Sequence, residues 1–429
     1  MCHPHLPLAK RLTTPLTLLL LGVLFIFGTV PKAFAQTQPT ITVAILVTPN
    51  QRELYHEIFA RFTDETGIGI KVEARTDREY KRKLPVWLYA SNDTPDVMLW
   101  QASQRLFVHV NNDAILPITD IWQELSLDAS LGHVKSGVSI GEEVYGLPIS
   151  YYHWGLYYRP ELIEQYGQPP GTWREFIDIA DALRKDGIAP VGLGNKNQWP
   201  AAAWFDYLNL RVNGLHFHQQ LLAGDVPFTD DRVRQVLVHW KKMVVRGFFN
   251  DDHASLSWDQ VVPKLYREKV GFVLIGSFVT TKFNAEMGGD ISFLPFPKIE
   301  AIPHYEVAPT EIMMIPKRAR HIPQAKMFIR FMARAEVQEQ LNNMLGYLPP
   351  HRESKPGIDY FTQQGAALLS LAAGVSQYFD RDTVPAFEKK ALPIFAQFLK
   401  SGDIDRTLKT LEKLRQDVYL NDDSDLDLD

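Results

Sequence analysis

Trp100 is the residue whose type and position most strongly suggest a ligand contact. It ends a short segment, Asp96–Trp100, which follows a turn signal at Pro95 and has the pattern of a β-strand. In an open parallel sheet, ligands bind outside the carboxyl ends of the strands. A site for a small ligand with an apolar face and polar edges needs flat aromatic rings and polar side chains. We therefore expect Trp100 to stack on a ligand; the alternative is a tryptophan packed under a neighbouring helix.

Motifs for catalysis or metal binding are weak. His216, His218 and His253 could ligate a metal, but no cysteine or carboxylate follows at a typical ligand spacing. We expect these histidines to be solvated at the surface. There is no phosphate-binding loop and no His-Glu-x-x-His motif. A carboxylate pair for glycoside hydrolysis stays open, because the separation of such a pair is spatial. We predict that the chain is not an enzyme and has no cofactor.

The chain alternates between strand and helix patterns in its first part. Thr40–Val47 is a β-branched apolar run, Arg52–Glu65 has apolar residues four apart, and Ile68–Ala74 alternates apolar and polar residues. A second helical pattern precedes the Asp96–Trp100 strand. This βαβαβ order predicts an α/β fold with mainly parallel sheets covered by helices.

A strand, a connector and a capped helix follow one another in the stretch 145–176. The stretch opens with Tyr-Gly-Leu-Pro and continues into an aromatic run that contains Tyr151 and Tyr152. Successive strand residues point to opposite faces, so one of this pair should face a cleft, and we favour Tyr152. Two prolines then prevent an early helix start, and Thr172 with Glu175 predicts a capping box.

Residues 1–35 have the layout of a cleavable secretion signal. Basic residues precede the apolar run Leu16–Val30, and Ala33-Phe34-Ala35 is a small-x-small cleavage motif. The apolar run is shorter than the about 20 residues of a membrane span. We predict cleavage after Ala35 and a periplasmic protein; the alternative is a retained signal anchor. The only cysteine, Cys2, lies in this segment, so we expect no disulfide and no thiol chemistry in the remaining chain.

The charge of the chain argues against nucleic-acid binding. Residues 1–35 hold three of the 45 basic residues and none of the 50 acidic ones, so the remaining chain has a formal net charge of −8. Five aspartates lie in the last eight residues. Because such a run repels itself and buries nothing, we predict an acidic disordered tail at 421–429.

Taken in order, these segments resemble the extracellular solute-binding proteins of sugar-importing ABC transporters, the maltodextrin-binding-protein-like group. The stretch 145–176 resembles the strand that crosses the hinge of this family and the helix that opens its second lobe. Further segments resemble other motifs of the family: Phe62–Ile68, Thr94–Val97, Ile115–Ile118, Gly271–Phe278, Phe293–Pro297 and Gly346–Pro349.

The resemblance implies a periplasmic-binding-protein type II fold, in which a hinge of three crossovers joins two α/β lobes. It places lobe one at 36–149 plus 311–345, and lobe two at 150–310 plus 346–420. A ligand is then expected between the lobes, and closure about the hinge completes its contacts.

The resemblance also implies individual ligand contacts. Trp100 coincides with a tryptophan that stacks on sugar in the maltodextrin binders, and Tyr152 stands where they use a carboxylate. The other candidates are Asn50, Ser103, Gln104, Trp199, Trp204, Asp206, Trp258, Phe278 and Tyr347. Asn50 could instead be a loop cap, and Trp204 could be helix core. Ser103 and Gln104 replace an acidic and a basic contact residue of the family, which argues against maltodextrin itself.

The function implied by the resemblance is periplasmic carbohydrate binding by a monomer that delivers its ligand to the inner-membrane permease subunits of an ABC importer. A first alternative is a binding protein that reports sugar to a membrane receptor or kinase. A second is a glycoside hydrolase. The sequence alone leaves the identity of the sugar and the choice of partner open.

Overall fold

A computed structural model of the chain describes residues 39–47, 49–90, 92–283 and 290–420. The predicted secretion signal and the predicted acidic tail lie outside these residues. Within the described part of the chain, no helix has both the length and the apolar character needed to cross a membrane.

The strands follow in chain order. They are β1 (Thr40–Leu46), β2 (Gly69–Arg75), β3 (Val97–Gln101), β4 (Ile115–Leu116), β5 (Ser139–Ile140), β6 (Glu143–Val144), β7 (Leu147–Tyr151), β8 (Trp154–Tyr158), β9 (Ala189–Val191), β10 (Val270–Gly276), β11 (Ser292–Leu294), β12 (Tyr305–Val307), β13 (Thr310–Pro316) and β14 (Gly374–Ser376).

The α-helices are α1 (Pro49–Thr66), α2 (Asp77–Pro85), α3 (Gln104–Asn111), α4 (Thr119–Glu124), α5 (Asp128–Leu131), α6 (Pro160–Ile163), α7 (Trp173–Lys185), α8 (Pro200–Val212), α9 (Gly214–Leu222), α10 (Asp231–Val245), α11 (Trp258–Tyr266), α12 (Ile322–Met332), α13 (Ala335–Leu345), α14 (Tyr360–Leu371), α15 (Phe379–Asp382), α16 (Pro385–Ser401) and α17 (Ile404–Arg415). Short 3-10 helices cover Gly132–Gly137 and Ser277–Lys282, and π-helical turns cover Val86–Ala90 and Gln416–Leu420.

The first sheet has the strand order β2-β1-β3-β13-β4, and β7 also pairs with β13. β1 is parallel to both β2 and β3, as the βαβαβ pattern predicts. β13 runs antiparallel to β3, β4 and β7. The second sheet has the order β11-β8-β10-β9; among its described strands the β9–β10 pair is parallel and the β8–β10 and β8–β11 pairs are antiparallel.

Both sheets are therefore mixed, which corrects the prediction of mainly parallel strands. Parallel pairing holds where a helix connects successive strands. β7 and β13 instead lead the chain out of and back into the first sheet, so they run against the strands of the βαβαβ segment. Hydrophobic periodicity identifies a strand but not its direction.

Three passages of the chain connect the two sheets, and they meet at Tyr151. This residue pairs with Thr310 in the β7–β13 ladder. It also exchanges two backbone hydrogen bonds with Leu348, of 3.0 and 2.9 Å. The third passage begins at Gly346, whose φ of +68° ends α13 in a left-handed conformation that glycine adopts without strain. The predicted three-crossover connection is confirmed.

Two large hydrophobic cores and one smaller cluster, which contains Val261 of α11 and Ile275 of β10, accompany the two sheets in the described part of the chain. The first core contains buried residues between Ile41 and Ile149 and between Ile312 and Leu345. The second core contains buried residues between Tyr152 and Val307 and between Tyr378 and Leu414. The spans of the two cores agree with the expected lobe boundaries; the division into lobes itself stays a prediction.

Local signals placed several elements accurately. Thr172 Oγ1 accepts a hydrogen bond from the backbone N–H of Glu175 at 3.3 Å, and the Glu175 carboxylate accepts one from the N–H of Thr172 at 2.9 Å. This confirms the capping box. It starts α7 directly after the two prolines, with six residues of the helix buried in the second core.

Candidate ligand-binding site

A cavity of about 470 Å³ is lined by residues of both cores. Its volume falls in the range of about 300–1,000 Å³ that is usual for small-molecule sites. Because its two sides differ in chemistry, we call them the aromatic wall and the polar wall.

The aromatic wall comes from elements of the second core and of the smaller cluster beside it. It consists of Tyr152, Trp154, Trp199, Trp258, Phe278 and Tyr378. Their positions share a feature: each lies at the start or just outside the end of a strand or helix, where the chain turns toward the cavity. Trp199 precedes α8, Trp258 opens α11, and Phe278 follows β10.

Phe278 lies at the centre of the aromatic wall. Its ring centroid is 5.1 Å from that of Trp258 and 5.6 Å from that of Tyr152, with both pairs edge to face. Trp154 and Trp199 lie 6.1 and 6.3 Å from it in similar geometry. Each of these four rings therefore packs against Phe278, and such aromatic contacts stabilise the arrangement of the wall.

Gly276 allows the rings of Trp154 and Phe278 to come together. It pairs with Trp154 across the β8–β10 ladder. A Cβ at position 276 would lie 2.6 Å from the Phe278 ring and 3.0 Å from Trp154 Nε1. The other face of Trp154 stacks on Tyr378 at 4.7 Å, and the Tyr378 hydroxyl donates to the Trp199 carbonyl at 2.6 Å.

The polar wall comes from elements of the first core. It includes Gln51 of α1, Thr76 and Lys81 at α2, Gln101 at the end of β3, and Glu311 of β13. Tyr347, on the third passage, completes this side and accepts a hydrogen bond from Gln51 Nε2 at 3.1 Å. The Oε1 atom of Gln101 is buried and has no hydrogen-bond partner among the described residues.

Arg381 joins the two walls. Its Nη2 donates to Glu311 Oε1 at 2.8 Å and to the Tyr152 hydroxyl at 3.0 Å, and its Nη1 donates to the Thr310 carbonyl at 3.1 Å. Burial alone would lower the pKa of Arg381, but the Glu311 carboxylate raises the pKa above its ordinary value. The guanidinium is therefore charged, and both of its terminal nitrogens donate hydrogen bonds.

The tyrosines of the cavity are neutral phenols. Burial raises the pKa of Tyr152 and of Tyr378 above their ordinary values. Burial likewise raises the pKa of Tyr347 to about 12. Each hydroxyl therefore keeps its proton at neutral pH and can act as both donor and acceptor.

Five of the residues predicted as ligand contacts line this cavity together: Tyr152, Trp199, Trp258, Phe278 and Tyr347. Chain segments almost 200 residues apart supply them. The structure thus brings nearly half of the candidates to one place; contact of each residue with a ligand stays a prediction.

Trp100 does not line the cavity. Its side chain is buried in the first core and stacks on Tyr80, with centroids 5.9 Å apart and planes 16° apart. Its Nε1 donates to the Arg105 carbonyl at 2.8 Å. This is the alternative of a tryptophan packed under a helix, because α2 delivers Tyr80 onto the ring.

Trp204 and Asp206 also lie away from the cavity. Both are on α8 and are buried in the second core. Trp204 packs edge to face against Phe249 and Phe296. Asp206 Oδ2 accepts a hydrogen bond from the backbone N–H of Phe379 at 2.8 Å, so it supports the chain next to Tyr378 without facing the cavity.

Ser103 and Gln104 line a second, smaller cavity of about 250 Å³. The Ser103 hydroxyl donates to Asp382 Oδ1 at 2.6 Å. The prediction for Asn50 concerns a side chain outside the described part of the structure.

The predicted surface position of the histidines is wrong for His218. Its ring is fully buried. The distance from Nδ1 of the ring to Asn209 Nδ2 is 2.9 Å, and the distance from Nε2 to Asp206 Oδ1 is 3.8 Å. Burial lowers the pKa of His218 to about 3, so the ring is neutral.

Residues 137–141 have the spacing Gly-x-Ser-x-Gly, which hydrolases use for a nucleophilic serine at a turn between a strand and a helix. Here Ser139 lies in the β5–β6 hairpin, and its hydroxyl donates to the Lys135 carbonyl. The serine is therefore not at the kind of turn that a nucleophile needs.

Sequence reasoning missed several cavity residues: Trp154, Gln101, Glu311, Tyr378, Asp380 and Arg381. Trp154 had a detectable signal, since it lies two positions after Tyr152 in the same aromatic run. Gln101 directly follows Trp100. The segment 378–381 gave no signal, because its partners lie as far as 275 positions away in sequence.

Comparison with known families identifies the class of this protein. Residues 48–339 match the family described as bacterial extracellular solute-binding protein. The match covers more than half of the chain, so the chain belongs to this family. Its members are receptors that bind a solute, which confirms the prediction that the chain is not an enzyme.

Individual relatives and structures agree with this membership. The chain is 22% identical, over 78% of its length and 77% of the relative, to an uncharacterised ABC transporter extracellular-binding protein of Pyrococcus horikoshii. It is also 22% identical, over 77% of its length and 82% of the relative, to the osmoprotective compounds-binding protein GgtB of Synechocystis sp.. Its fold is similar to that of the bacterial solute receptor AcbH, described as preferring β-D-galactopyranose, with a TM-score of 0.80, 23% identity and coverage of 89% of this chain and 98% of that one. The predicted type II periplasmic-binding-protein fold is confirmed.

Proposed function

We propose that this protein binds a carbohydrate between its aromatic and polar walls and delivers it to an ABC importer. The observation that carries the proposal is the pairing of the two walls across one cavity. Flat rings suit the C–H face of a sugar, and the amide, hydroxyl and charged groups opposite suit its hydroxyl rim.

The aromatic wall supports this ligand class through its partial exposure. Trp199, Trp258 and Phe278 are half-buried and supply ring surface, whereas Trp154 and Tyr378 are buried behind them. A sugar that stacks on the half-buried rings would remove apolar surface from water without moving the buried ones. The solute receptor AcbH, which has a similar fold and is described as preferring β-D-galactopyranose, supports the same class.

The polar wall supports recognition of hydroxyl groups rather than of a full charge. Glu311 of this wall is paired with Arg381, and Asp380, which lines the cavity from the other side, is paired with Arg105. Carboxylates held by arginines remain hydrogen-bond acceptors, so a ligand hydroxyl can donate to them while their charge stays balanced.

The two cores support a division into two lobes, at 36–149 plus 311–345 and at 150–310 plus 346–420. Each wall then belongs to one lobe, with Tyr347 at the hinge. In this proposal the sugar binds while the lobes are apart, and closure brings the second wall against it.

Membership of an extracellular solute-binding family indicates that the protein is secreted. We infer that residues 1–35 are removed after Ala35, that the mature protein is a periplasmic monomer, and that permease subunits in the inner membrane read its closed form. The Pyrococcus relative is described as an extracellular-binding protein of an ABC transporter, which supports an ABC importer as the partner of this protein.

A thermal-shift panel tests the ligand class. The panel contains D-galactose, D-glucose, maltose, melibiose and raffinose, with glycine betaine, putrescine and a dipeptide as non-sugar arms. We expect at least one sugar to bind with about micromolar Kd, roughly −8 kcal/mol. At a concentration about 1,000 times the Kd, it should stabilise the protein by about 4 kcal/mol. Stabilisation by a non-sugar arm alone would refute a carbohydrate ligand.

A further inference from the structure

The segment Tyr378–Asp382, which contains α15, forms part of the cavity and is anchored along its whole length. Two anchors come from the second core. The Tyr378 hydroxyl donates to the Trp199 carbonyl at 2.6 Å, and the Phe379 N–H donates to Asp206 at 2.8 Å.

The other anchors come from the first core. Arg381 reaches Glu311, and Asp382 accepts from Ser103, as described above. Between them, Asp380 is held by Arg105, whose Nε donates to the Asp380 carbonyl at 2.7 Å. Arg105 Nη2 lies 3.5 Å from Asp380 Oδ2.

Arg105 makes a further contact beyond this segment. Its Nη2 donates to Glu388 Oε2 on α16 at 2.8 Å. The side chains of Arg105, Asp380 and Glu388 are 13, 15 and 14% exposed, so water screens these charges only weakly. Charge-assisted bonds in this setting are strong and directional.

The contacts of Arg105 bridge the two cores. Its neighbour Leu106 is buried in the first core, whereas Phe387, next to Glu388, is buried in the second. Its carbonyl also accepts from Trp100 Nε1 at 2.8 Å, which fixes the start of α3 to the first sheet. Arg105 itself does not line the cavity, although Asp380 does.

We propose that Arg105 is a positioning residue for ligand binding, which holds the Tyr378–Asp382 segment in its binding conformation and clasps the two cores together. The proposal rests on the proposed function, since it assigns a role in binding at that site. A ligand that contacts Asp380 or Tyr378 then gains affinity from a side chain that it never touches.

The experiment compares Arg105→Ala, Arg105→Lys and Glu388→Gln with the wild-type protein. The probe is the panel sugar with the largest thermal shift, starting with D-galactose, and Kd is measured by calorimetry. We expect Arg105→Ala to weaken binding by about tenfold or more. Arg105→Lys keeps the charge but loses the two-pronged geometry, so it should recover part of the affinity, and Glu388→Gln should give a smaller loss.

Arg330→Ala is the matched control. Arg330 forms an ion pair with Glu124 at 2.6 Å, but that pair is more exposed and does not reach the second core. We expect the wild-type Kd from this variant. Loss of affinity equal to that of Arg105→Ala would mean that any lost ion pair weakens binding, and would overturn the proposal.

A distance measurement supplies a readout that does not depend on a sugar. The only cysteine is Cys2, in the predicted secretion signal, so Asp64→Cys with Lys185→Cys gives two dye positions in the mature protein, one on α1 and one on α7. We expect Arg105→Ala to shift the distances toward longer values. Wild-type Kd together with wild-type distances in Arg105→Ala would refute the role of Arg105. If the wild-type protein binds no panel sugar, the proposed function fails. The dye-to-dye distances then test by themselves whether Arg105 holds the two cores together.

Discussion

The two walls of the cavity differ in composition and in the elements that build them. The aromatic wall is made of rings that pack on one another, mostly edge to face, so its shape is set mainly by the second core and the smaller cluster beside it. The polar wall is made of single side chains from four separate elements of the first core, and its order depends on partners such as Arg381 from the other side. One wall is pre-formed, and the other is completed by contact between the cores.

This difference indicates how the work of binding is divided. Ring surface offers favourable burial to a sugar without further assembly. Hydrogen bonds to the polar wall require the two cores to be close. We therefore expect the aromatic wall to dominate capture of the ligand and the polar wall to dominate its retention and its discrimination between sugars.

Tryptophans show the same contrast. Trp100 and Trp199 both stand where a strand or helix meets the cavity region, yet only Trp199 lines it. Tyr80 covers the Trp100 ring, and Trp100 Nε1 donates a hydrogen bond to the Arg105 carbonyl. Trp100 therefore packs inside the first core, behind the polar wall. The residue type does not decide the role; the helix that covers the ring does.

The largest expected effect tests this assignment. Trp100→Ala should lower the free energy of unfolding by about 3–5 kcal/mol, because it removes a buried ring and leaves a cavity. Trp100→Phe should cost less, since it keeps most of the packing and loses the bond to Arg105. Urea unfolding of the ligand-free protein measures both. A Trp100→Ala protein of wild-type stability that has lost its sugar affinity would make Trp100 a ligand contact and break the comparison.

The second effect concerns the support behind the aromatic wall. His153 lies between Tyr152 and Trp154, stacks on Phe293 at 4.5 Å, and is within 3.2 Å of the Tyr157 hydroxyl. Burial lowers its pKa to about 4, although Glu306 and Asp359 act in the opposite direction.

The lowered pKa of His153 predicts a loss of stability in acid. Between about pH 6.5 and pH 4 the unfolded chain takes up a proton that the folded chain excludes, so stability falls as the pH falls. At about pH 5 this should cost about 2 kcal/mol relative to neutral pH. His153→Gln should remove that share, and unfolding midpoints at both pH values measure it. An equal pH dependence in the variant and the wild-type protein would contradict the assignment.

Local features of the fold could be predicted from the sequence. The capping box at Thr172 depends only on residues three positions apart, and the first strand needs only its own apolar run. The family resemblance added the three passages and five cavity residues. In these cases the residues that determine the structure are close to one another in the sequence or belong to a recognisable motif.

Other features depend on contacts that a sequence does not display. Trp100 is covered by a ring from another helix, so its own position at a strand end was not informative. Arg381 joins Tyr152 across 229 positions and Glu311 across 70. The direction of β13 follows from where the chain returns to the first sheet, which no local pattern encodes.

A smaller effect is expected at the exposed face of the aromatic wall. Trp199→Ala should weaken sugar binding by about tenfold, roughly 1.4 kcal/mol, because it removes one stacking surface. The ring is half-buried, so most of the fold should persist. Tyr360→Ala is the control: this ring is 50% exposed on α14, does not line the cavity, and should leave Kd unchanged. Equal Kd values for Trp199→Ala and the wild-type protein would show that the aromatic wall does not contribute to capture of the ligand.

The smallest effect tests the polar wall through Gln101. Its side chain is 7% exposed at the end of β3, lines the cavity, and has a buried Oε1 with no partner among the described residues. A sugar hydroxyl that donates to this atom would satisfy a group that otherwise costs free energy. Gln101→Ala should therefore weaken binding by about 1 kcal/mol, about fivefold, and mainly raise the dissociation rate.

Gln104→Ala is the matched control, because Gln104 lies three positions later but faces the second cavity. This variant should bind sugar like the wild-type protein. Stopped-flow fluorescence separates the two rates. A lower association rate with an unchanged dissociation rate in Gln101→Ala would show that the polar wall takes part in capture, and the division of work between the walls would then be wrong.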